Sequence, residues 1–426
     1  MKDRIIALLR WSERYTQTDM VYLAKGGFWL LLGQIGSVLL GLATAIAFGH
    51  FASQDTYGNY KYVLSLAGLF GAFSLSGIGI AVTQAVARGY EGSLAQGFRL
   101  SLRWSWGVVL LSAGAATYYY FFARNAFLGA SLLVVAFLLP LLNGLSLFSP
   151  FLVGKKAFVR DTAYNFLNAL FPVAAVIASL FFTHRAVFII LAYFAANAAA
   201  DALFYLLTLR QAKNAATDPG TFSYSRHLSV MGIVNALADK VDSIAVFSLL
   251  GPAQLAVYAF AIAMPEQIKQ LVKLVVPLSL PRFAGRSITD IRASLRSKLV
   301  YAGMAIFCAF LVYVILAPLL FRVLFPRYIE AVPYSQFYAL TLILSFASII
   351  LSTVFQAKKR VREQYVISLA TGAILLVALP VLTFYDGIGG AIWAQLISRF
   401  FNAGISLFYY RRFKEESAPA RNVGSP

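Results

Sequence analysis

The chain has 426 residues, of which 60% are hydrophobic and only 12% are charged. Soluble globular proteins carry about 25% charged residues, so this composition excludes an ordinary soluble domain. The formal net charge of +19 would indicate a nucleic-acid ligand in a soluble protein, but membrane topology explains it without one. We therefore expect no nucleic-acid partner. The single cysteine, Cys308, excludes an intrachain disulfide.

Long apolar segments occur along the whole chain. A helix that crosses the hydrocarbon core of a bilayer needs about 20 mostly apolar residues. Because no water is available there, the backbone must satisfy its own hydrogen bonds, and such segments form helices. The sequence therefore predicts an all-α integral membrane protein with about 12 transmembrane helices. In chain order the twelve segments are 27–50, 60–83, 100–122, 127–149, 162–182, 187–209, 228–250, 255–277, 298–320, 333–355, 364–384 and 388–410.

The basic residues are distributed unequally between the two sides of this helix array. An even number of helices places both termini on the same side, and most Lys and Arg residues then fall on that side. Positively charged loops stay in the cytoplasm, so we expect a multi-pass protein with cytoplasmic N- and C-termini. The same residues would contact anionic membrane lipids. The outer side keeps Lys61, Arg124, Arg185, Arg322 and Arg327.

Two sequence echoes relate the first half of the chain to the second. Ile46 and Tyr60 lie fourteen residues apart, and so do Ile244 and Tyr258. The offset between these pairs is 198 residues (244 − 46), which is close to the length of six helices. A repeat in which both copies begin on the same side is a parallel repeat. The second echo consists of the Lys-Lys dipeptides at 155–156 and 358–359, with an offset of 203 residues.

The repeat predicts two pseudo-symmetric lobes of six helices each. Residues 1–210 form the N-terminal lobe and residues 227–412 form the C-terminal lobe. The polar stretch 211–226, which contains an Asp-Pro-Gly turn, is the expected cytoplasmic linker. Residues 413–426 are polar and are expected to form a disordered cytoplasmic tail.

Three segments carry a resemblance to a known family. Residues 48–60 (FGHFASQDTYGNY) resemble the corner between helices 1 and 2 of the polysaccharide, or O-antigen type, flippases. Residues 249–258 (LLGPAQLAVY) resemble the equivalent corner between helices 7 and 8, and residues 77–84 (GIGIAVTQ) also fit. The chain is thus identified as similar to the oligosaccharide flippases of the multidrug/oligosaccharidyl-lipid/polysaccharide exporter superfamily.

The resemblance implies a multidrug-exporter-like or flippase-like fold in the bacterial inner membrane. Members of this superfamily flip an undecaprenyl-diphosphate-linked oligosaccharide by alternating access, and helices 1, 2, 7 and 8 line their central cavity. The expected partners are the lipid-linked oligosaccharide, membrane lipids and other polysaccharide-assembly proteins. Lipid II flippases carry a functional arginine in the first helix, whereas helix 1 here has none, which disfavours a peptidoglycan precursor as substrate.

Helix 7 carries the densest group of embedded charges. Asn235, Asp239 and Asp242 continue a stripe that begins at Ser229, with spacings of three or four residues, so they share one helical face. Charges within a membrane helix are costly and usually functional. The stripe therefore either lines a lumen, with the aspartates as proton or sodium carriers, or forms a polar seam between lobes. Lys240 lies off the stripe and either reaches the lumen edge or snorkels.

Helix 8 carries a second group, just after Pro265. Glu266 and Lys269 are three residues apart, a spacing that allows an ion pair, whereas Lys269 and Lys273 lie one turn apart and repel each other. One interpretation is a neutralised pair plus a lysine near the membrane interface. In the other, Lys269 and Lys273 receive the substrate diphosphate, because an anion in a low-dielectric cavity needs cations. Arg399, near the middle of helix 12, either forms structural hydrogen bonds between helices or belongs to the translocation path.

Other embedded polar residues form weaker candidates for the translocation path. Gln34 is the polar residue of helix 1 in the region equivalent to the helix 7 stripe. Asn197 and Asp201 are spaced by four residues on helix 6, where hydrogen bonds between helices are the favoured interpretation.

The leading functional hypothesis is a secondary transporter that flips a lipid-linked oligosaccharide to the outer face of the membrane for surface polysaccharide biosynthesis. Coupling to an H⁺ or Na⁺ gradient is expected at Asp239, Asp242 or Glu266. We expect no enzyme activity, no cofactor and no metal site, because the sequence has neither a phosphate-binding loop nor metal-ligand spacing of its histidines. The alternatives are a multidrug exporter of the same superfamily and a membrane-embedded polysaccharide polymerase or ligase.

Overall fold

A computed structural model describes residues 20–183, 185–273, 288–358 and 360–412. Within these ranges the chain forms α-helices joined by short turns, and no strand occurs there. The helices are α1 Met20–Phe51, α2 Gln54–Gly71, α3 Ile78–Ala87, α4 Ser93–Trp104, α5 Trp106–Thr117, α6 Ala126–Leu145, α7 Phe148–Gly154, α8 Phe158–Phe182, α9 Ala186–Leu209, α10 Thr221–Leu250, α11 Pro252–Lys273, α12 Ile288–Leu324, α13 Ala331–Tyr338, α14 Leu340–Ala357 and α15 Val361–Arg412.

These helices reproduce the twelve predicted spans, and the predicted all-α membrane fold is confirmed. Several spans consist of two helices in succession: α2 with α3, α4 with α5, α6 with α7, and α13 with α14. The last two spans are the halves of α15, which is interrupted at Asp386 and Gly387. Gly387 has a φ of 56°, a left-handed conformation that favours glycine.

The spans differ in how apolar they are. Seven stretches of the described chain are long and apolar enough to cross a membrane. Three described helices of 18 or more residues, α2, α10 and α11, are not among them. An embedded helix with polar residues lies most favourably where those residues face protein or a polar interior. The less apolar helices are therefore the expected centre of the bundle.

The contacts between the two halves follow this expectation, because α2 and α10 pack antiparallel along their length. Tyr62 stacks on Phe247 with 3.7 Å between ring centroids. Further along, a Cβ on Gly68 would lie only 2.9 Å from Cε of Lys240, so glycine permits this close approach. Beyond the end of α2, the backbone N–H of Gly77 donates to Oγ of Ser229 at 2.9 Å.

A buried aromatic cluster joins the halves at the end of the bundle that carries the α1–α2 and α10–α11 turns, here called the far end. Phe48, Tyr57 and Tyr60 come from the first half, and Phe260 and Tyr328 come from the second. The rings of Phe260 and Tyr328 are 3.9 Å apart, and those of Tyr57 and Phe260 are 4.6 Å apart. Burial of such large apolar rings stabilises the closed far end.

The linker between the halves lies at the opposite end, here called the linker end, and it is shorter than predicted. The prediction placed it at 211–226, but α10 begins at Thr221, so residues 221–226 are helical. Oδ1 of Asp218 accepts from the N–H of Gly220 at 3.0 Å and forms the turn that precedes the helix. Hydropathy missed this first helical turn because its residues are polar. The predicted disordered tail, 413–426, lies outside the described residues.

Candidate functional site

A polar cavity of about 680 Å³ lies in the second half, between α10, α11, α13 and α15. Its described charged residues are three acids and three bases, whose formal charges sum to zero. Other polar lining groups are Gln270, Tyr338, Ser368, Thr371, Gln395, Ser398 and Asn402. The charged residues are Asp239, Lys240, Asp242, Glu266, Lys269 and Arg399.

Asp242 is buried at one side of the cavity, and neutral donors satisfy its carboxylate. Oδ1 accepts from the backbone N–H of Ser243 at 2.6 Å. Oδ2 accepts from the hydroxyl of Tyr258 at 3.0 Å and from Nε2 of Gln395 at 3.4 Å. A buried carboxylate is tolerated when several donors surround it. These contacts hold Asp242 in one place and connect α10, α11 and α15.

Glu266 and Lys269 form an ion pair on α11. The side chain of Lys269 is only 7% exposed, so this pair is largely removed from solvent. Oε1 of Glu266 also accepts from the hydroxyl of Tyr338 at 2.6 Å. The arrangement is the neutralised pair of the first interpretation for helix 8. Lys273 belongs to α11, but its side chain lies outside the described residues, as does that of Asn235 on α10.

Arg399, Lys240 and Asp239 complete the cavity without such a pair. Among the described residues, none of the three has an ion-pair partner within 4.0 Å. Asp239 is exposed, and the aliphatic part of Lys240 passes over Gly68 of α2. Nε of Arg399 is buried, and no described group accepts a hydrogen bond from it. Within the part of the chain that the structure describes, these three are the cavity charges without an ion pair.

The remaining predicted residues lie in the first half and do not line this cavity. Gln34 is half-buried on α1. Asn197 donates to the carbonyl of Tyr193 at 2.8 Å, which is a bond within α9 rather than between helices. Asp201 is buried beside Asn168 of α8. The structure therefore brings together Asp239, Lys240, Asp242, Glu266, Lys269 and Arg399, the described candidates on α10, α11 and α15, but not these three.

The sequence reasoning missed the tyrosines that hold the two carboxylates. In the sequence, Tyr258 stands out only as part of the repeat, and Tyr338 belongs to none of the patterns. A buried carboxylate must find donors, and this requirement was the available signal. It did not identify them, because Tyr258 is 16 residues from Asp242 and Tyr338 is 72 residues from Glu266.

Comparison with known sequences connects this geometry to a family. Residues 23–284 match the sequence profile of a family described as polysaccharide biosynthesis protein. This match covers more than half of the chain. The chain belongs to the polysaccharide biosynthesis protein family. The predicted resemblance to polysaccharide flippases is thereby confirmed. Comparison with curated proteins finds no match.

Solved structures show the same fold at low sequence identity. An inward-facing multidrug resistance MATE family transporter of the MOP superfamily superposes with a TM-score of 0.71 and 12% identity, covering 88% of this chain and 94% of that one. The outward-facing form of a MATE family transporter gives 0.65 and 11%, covering 92% and 94%. A MOP superfamily transporter from Pyrococcus furiosus gives 0.62 and 12%, covering 92% and 95%. The protein is thus a multi-pass membrane protein with a transporter fold.

Proposed function

We propose that this protein flips an undecaprenyl-diphosphate-linked oligosaccharide from the cytoplasmic to the outer face of the bacterial inner membrane, for O-antigen or exopolysaccharide biosynthesis. The observation that carries the proposal is a polar cavity with six charged residues, inside the membrane-embedded bundle of a polysaccharide biosynthesis protein. In this proposal the polyprenyl tail stays in lipid, and the protein acts as a transporter rather than an enzyme.

The size of the cavity supports a role in binding the head group. Small-molecule sites commonly measure about 300–1,000 Å³, and the cavity falls within that range. It suits the diphosphate and the sugar next to it rather than a whole oligosaccharide. The further sugars would extend toward the side that is open at that stage of transport.

Alternating access would require the far end to open. The aromatic cluster formed by Phe48, Tyr57, Tyr60, Phe260 and Tyr328 joins the two halves there. Its contacts are mostly apolar, so separating the halves breaks no ion pair within this cluster. We therefore assign it as the outer gate, and the linker end as the cytoplasmic end.

The cavity also contains the proposed ion-coupling group. Asp239 is exposed and has no ion pair among the described residues, whereas Asp242 and Glu266 are held by other side chains. A carboxylate that faces a polar cavity is accessible to H⁺ or Na⁺ from solution. We therefore favour Asp239 as the carrier, with Asp242 as a fixed neighbour.

A double substitution tests the site assignment. Asp239→Ala with Asp242→Ala is expected to abolish surface polysaccharide while the protein still inserts in the membrane, as judged by immunoblot of membrane fractions. Asp55→Ala, which removes an acid at the far end, should retain surface polysaccharide. Normal polysaccharide in the double variant would contradict the assignment.

A strain from which the gene has been deleted separates the alternatives. Loss of surface polysaccharide with accumulation of the lipid-linked precursor supports the flippase. Normal polysaccharide combined with hypersensitivity to cationic drugs would instead support a multidrug exporter. Polymerisation of sugars by the purified protein would support a polymerase or ligase.

A further inference from the structure

The six cavity charges differ in whether the protein already neutralises them. Glu266 and Lys269 neutralise each other, and the hydroxyl of Tyr338 adds a donor to Glu266. Asp242 is held by Ser243, Tyr258 and Gln395. A ligand that bound Lys269 would have to compete with Glu266, which lies three residues earlier on the same helix. Two cavity cations, Lys240 and Arg399, have no carboxylate within ion-pairing distance in the described part of the chain.

Arg399 has the clearest unmet requirement. Its Nε is buried, and no described acceptor lies within hydrogen-bonding distance. Burying a charged donor without an acceptor is costly, particularly in a membrane protein. Glu266 and Tyr338 are close enough to feel its charge, but Glu266 is outside ion-pairing distance. Among the described residues this donor has no acceptor, so an acceptor group that enters the cavity could bind it.

The chemistry of Arg399 indicates what that acceptor is. A guanidinium presents several N–H donors in a planar fork that matches the oxygens of a phosphate. Asn402 lines the cavity one turn further along α15 and offers an amide beside the guanidinium. Lys240 lines the same cavity from α10 and adds a positive charge. An organic cation would gain nothing from this set.

We propose that Arg399 recognises the diphosphate of the lipid-linked substrate, with Asn402 and Lys240 beside it, and that Lys269 neutralises Glu266 rather than binding substrate. The identity of the ligand rests on the proposed function. The proposal moves the recognition of the anion from α11, where the sequence placed it, to α15. It makes Arg399 the residue that selects anionic substrates over cationic ones.

The test uses the purified full-length protein in nanodiscs and two lipids, undecaprenyl diphosphate and the phosphate-free undecaprenol. The wild-type protein is expected to prefer the diphosphate. Arg399→Gln should weaken diphosphate binding by about tenfold and leave undecaprenol binding unchanged, because charged hydrogen bonds are roughly twice as strong as neutral ones. Arg399→Lys keeps the charge but loses the fork, so it should show an intermediate loss. Arg322→Gln, at the end of α12 and away from the cavity, should bind as the wild type does.

Several outcomes would overturn the assignment. One is wild-type affinity for undecaprenyl diphosphate in Arg399→Gln. The charge-neutral double variant Glu266→Gln with Lys269→Met should lose less affinity for undecaprenyl diphosphate than Arg399→Gln does. An equal loss of affinity in the double variant would contradict the assignment. If Arg399→Gln does not fold, Arg399→Lys carries the test, and wild-type affinity in that variant contradicts a forked contact. A dependence on Arg399 seen only with a sugar-bearing anionic lipid would transfer the role to a sugar carboxylate. A wild-type protein that binds both lipids equally would instead reject the proposed substrate class itself.

A second and independent observation concerns the linker, which is bound to the first half by a continuous set of contacts. Glu91, in the turn between α3 and α4, forms an ion pair of 2.9 Å with Lys155 and accepts from the N–H of Lys213 at 2.6 Å. Asn214 accepts from the N–H of Glu91 at 3.2 Å and donates to the carbonyl of Gly89 at 3.1 Å. The linker thus both donates hydrogen bonds to this turn and accepts one from it.

The contacts continue to both ends of the linker. At its start, Lys155 donates to the carbonyl of Gln211 at 3.2 Å and Arg160 to its side chain at 2.9 Å. Near its end, Arg88 forms an ion pair of 2.5 Å with Asp218, which is buried. The partners of these linker residues all belong to the first half.

The geometry points to a hinge between the halves at residues 219–220, immediately before α10, with residues 211–218 moving as part of the first half. A linker fixed along its length cannot absorb a rocking motion, so the change in backbone angle must occur after Asp218. The linker is then a rigid extension of one lobe rather than a flexible tether.

Spin labels can test this, because Cys308→Ser removes the only cysteine. The distance between labels at Arg103 and Thr217 reports the position of the linker relative to the first half. The distance between labels at Arg103 and Arg362 reports the position of one half relative to the other. The 103–217 distance distribution is expected to be narrow and identical with and without undecaprenyl diphosphate. Arg88→Gln with Glu91→Gln should broaden it. A 103–217 distribution as broad as the 103–362 distribution in the otherwise unchanged protein would overturn the hinge assignment.

Discussion

The two halves of this molecule have the same helix pattern but different polar chemistry. In the second half, six charged side chains meet around one cavity. In the first half, the charged side chains with described ion pairs, Arg88, Glu91 and Lys155, lie at the linker end and hold the linker. Most of the embedded charges therefore lie in the second half, although the buried Asp201 lies in the first. This contrast supports the proposal that the second half recognises the ligand, whereas the linker is held by the first half.

The largest expected effect comes from breaking the buried pair of the second half. Glu266→Ala leaves Lys269 largely buried without its carboxylate, and removing one partner of a buried pair costs about 3 kcal/mol or more. The matched change in the first half is Arg88→Gln, in an ion pair whose arginine is 59% exposed. Solvent reaches this pair from the arginine side, and the buried Asp218 keeps the hydrogen bond from the N–H of Gly220, so this variant should lose less stability than Glu266→Ala. Unfolding of the purified proteins in detergent measures both. Equal destabilisation would remove the contrast between the halves.

The second prediction concerns the contact between α2 and α10, which joins the two halves. Gly68→Leu forces a side chain into the space occupied by Lys240, and overpacking of this kind costs about 1–3 kcal/mol. We expect a smaller loss of stability than for Glu266→Ala, together with a loss of surface polysaccharide because Lys240 is displaced from the cavity. The control is Gly114→Leu on α5, where an added Cβ meets nothing within 4 Å. A wild-type level of polysaccharide in Gly68→Leu would show that this contact is not needed for transport.

The smallest effect is the response of the linker to pH. Burial raises the pKa of Glu91, but hydrogen bonds from Lys213 and Lys155 and their charges outweigh it, so the pKa lies below its ordinary value. A depressed pKa in the folded state means that the contribution to stability is present above the unfolded pKa of about 4.3 and is lost as pH falls through the folded value. Cleavage of the linker by an acid-active protease should therefore increase below about pH 4.

The control for this prediction is Glu91→Gln, which cannot titrate. Its cleavage at neutral pH should already exceed that of the wild type, and its rate should depend less on pH. A wild-type linker whose protection does not change between neutral and acidic pH would separate Glu91 from the docking of the linker.

Several structural features were predictable from the sequence because they follow from local composition. The number of spans followed from apolar length, and helical spacing placed Asp239 and Asp242 on one face of α10. The linker boundary at Thr221 was missed because the first turn of α10 is polar. The role of Lys269 stayed open, because an i,i+3 spacing permits an ion pair without requiring one.

Apolar length along the sequence was enough to predict that the chain crosses a membrane as a set of helices, since hydrocarbon demands apolar segments with internally bonded backbones. The sequence also identified the charged residues within membrane helices, whose energetic cost indicates a functional role. Only the tertiary structure decided how those charges are shared. The hydroxyls of Tyr258 and Tyr338 reach Asp242 and Glu266 from other helices, and Lys269 is neutralised within its own. The buried Nε of Arg399 is left without a described acceptor. Such pairings depend on which side chains meet in space, and hydropathy and helical period do not contain that information.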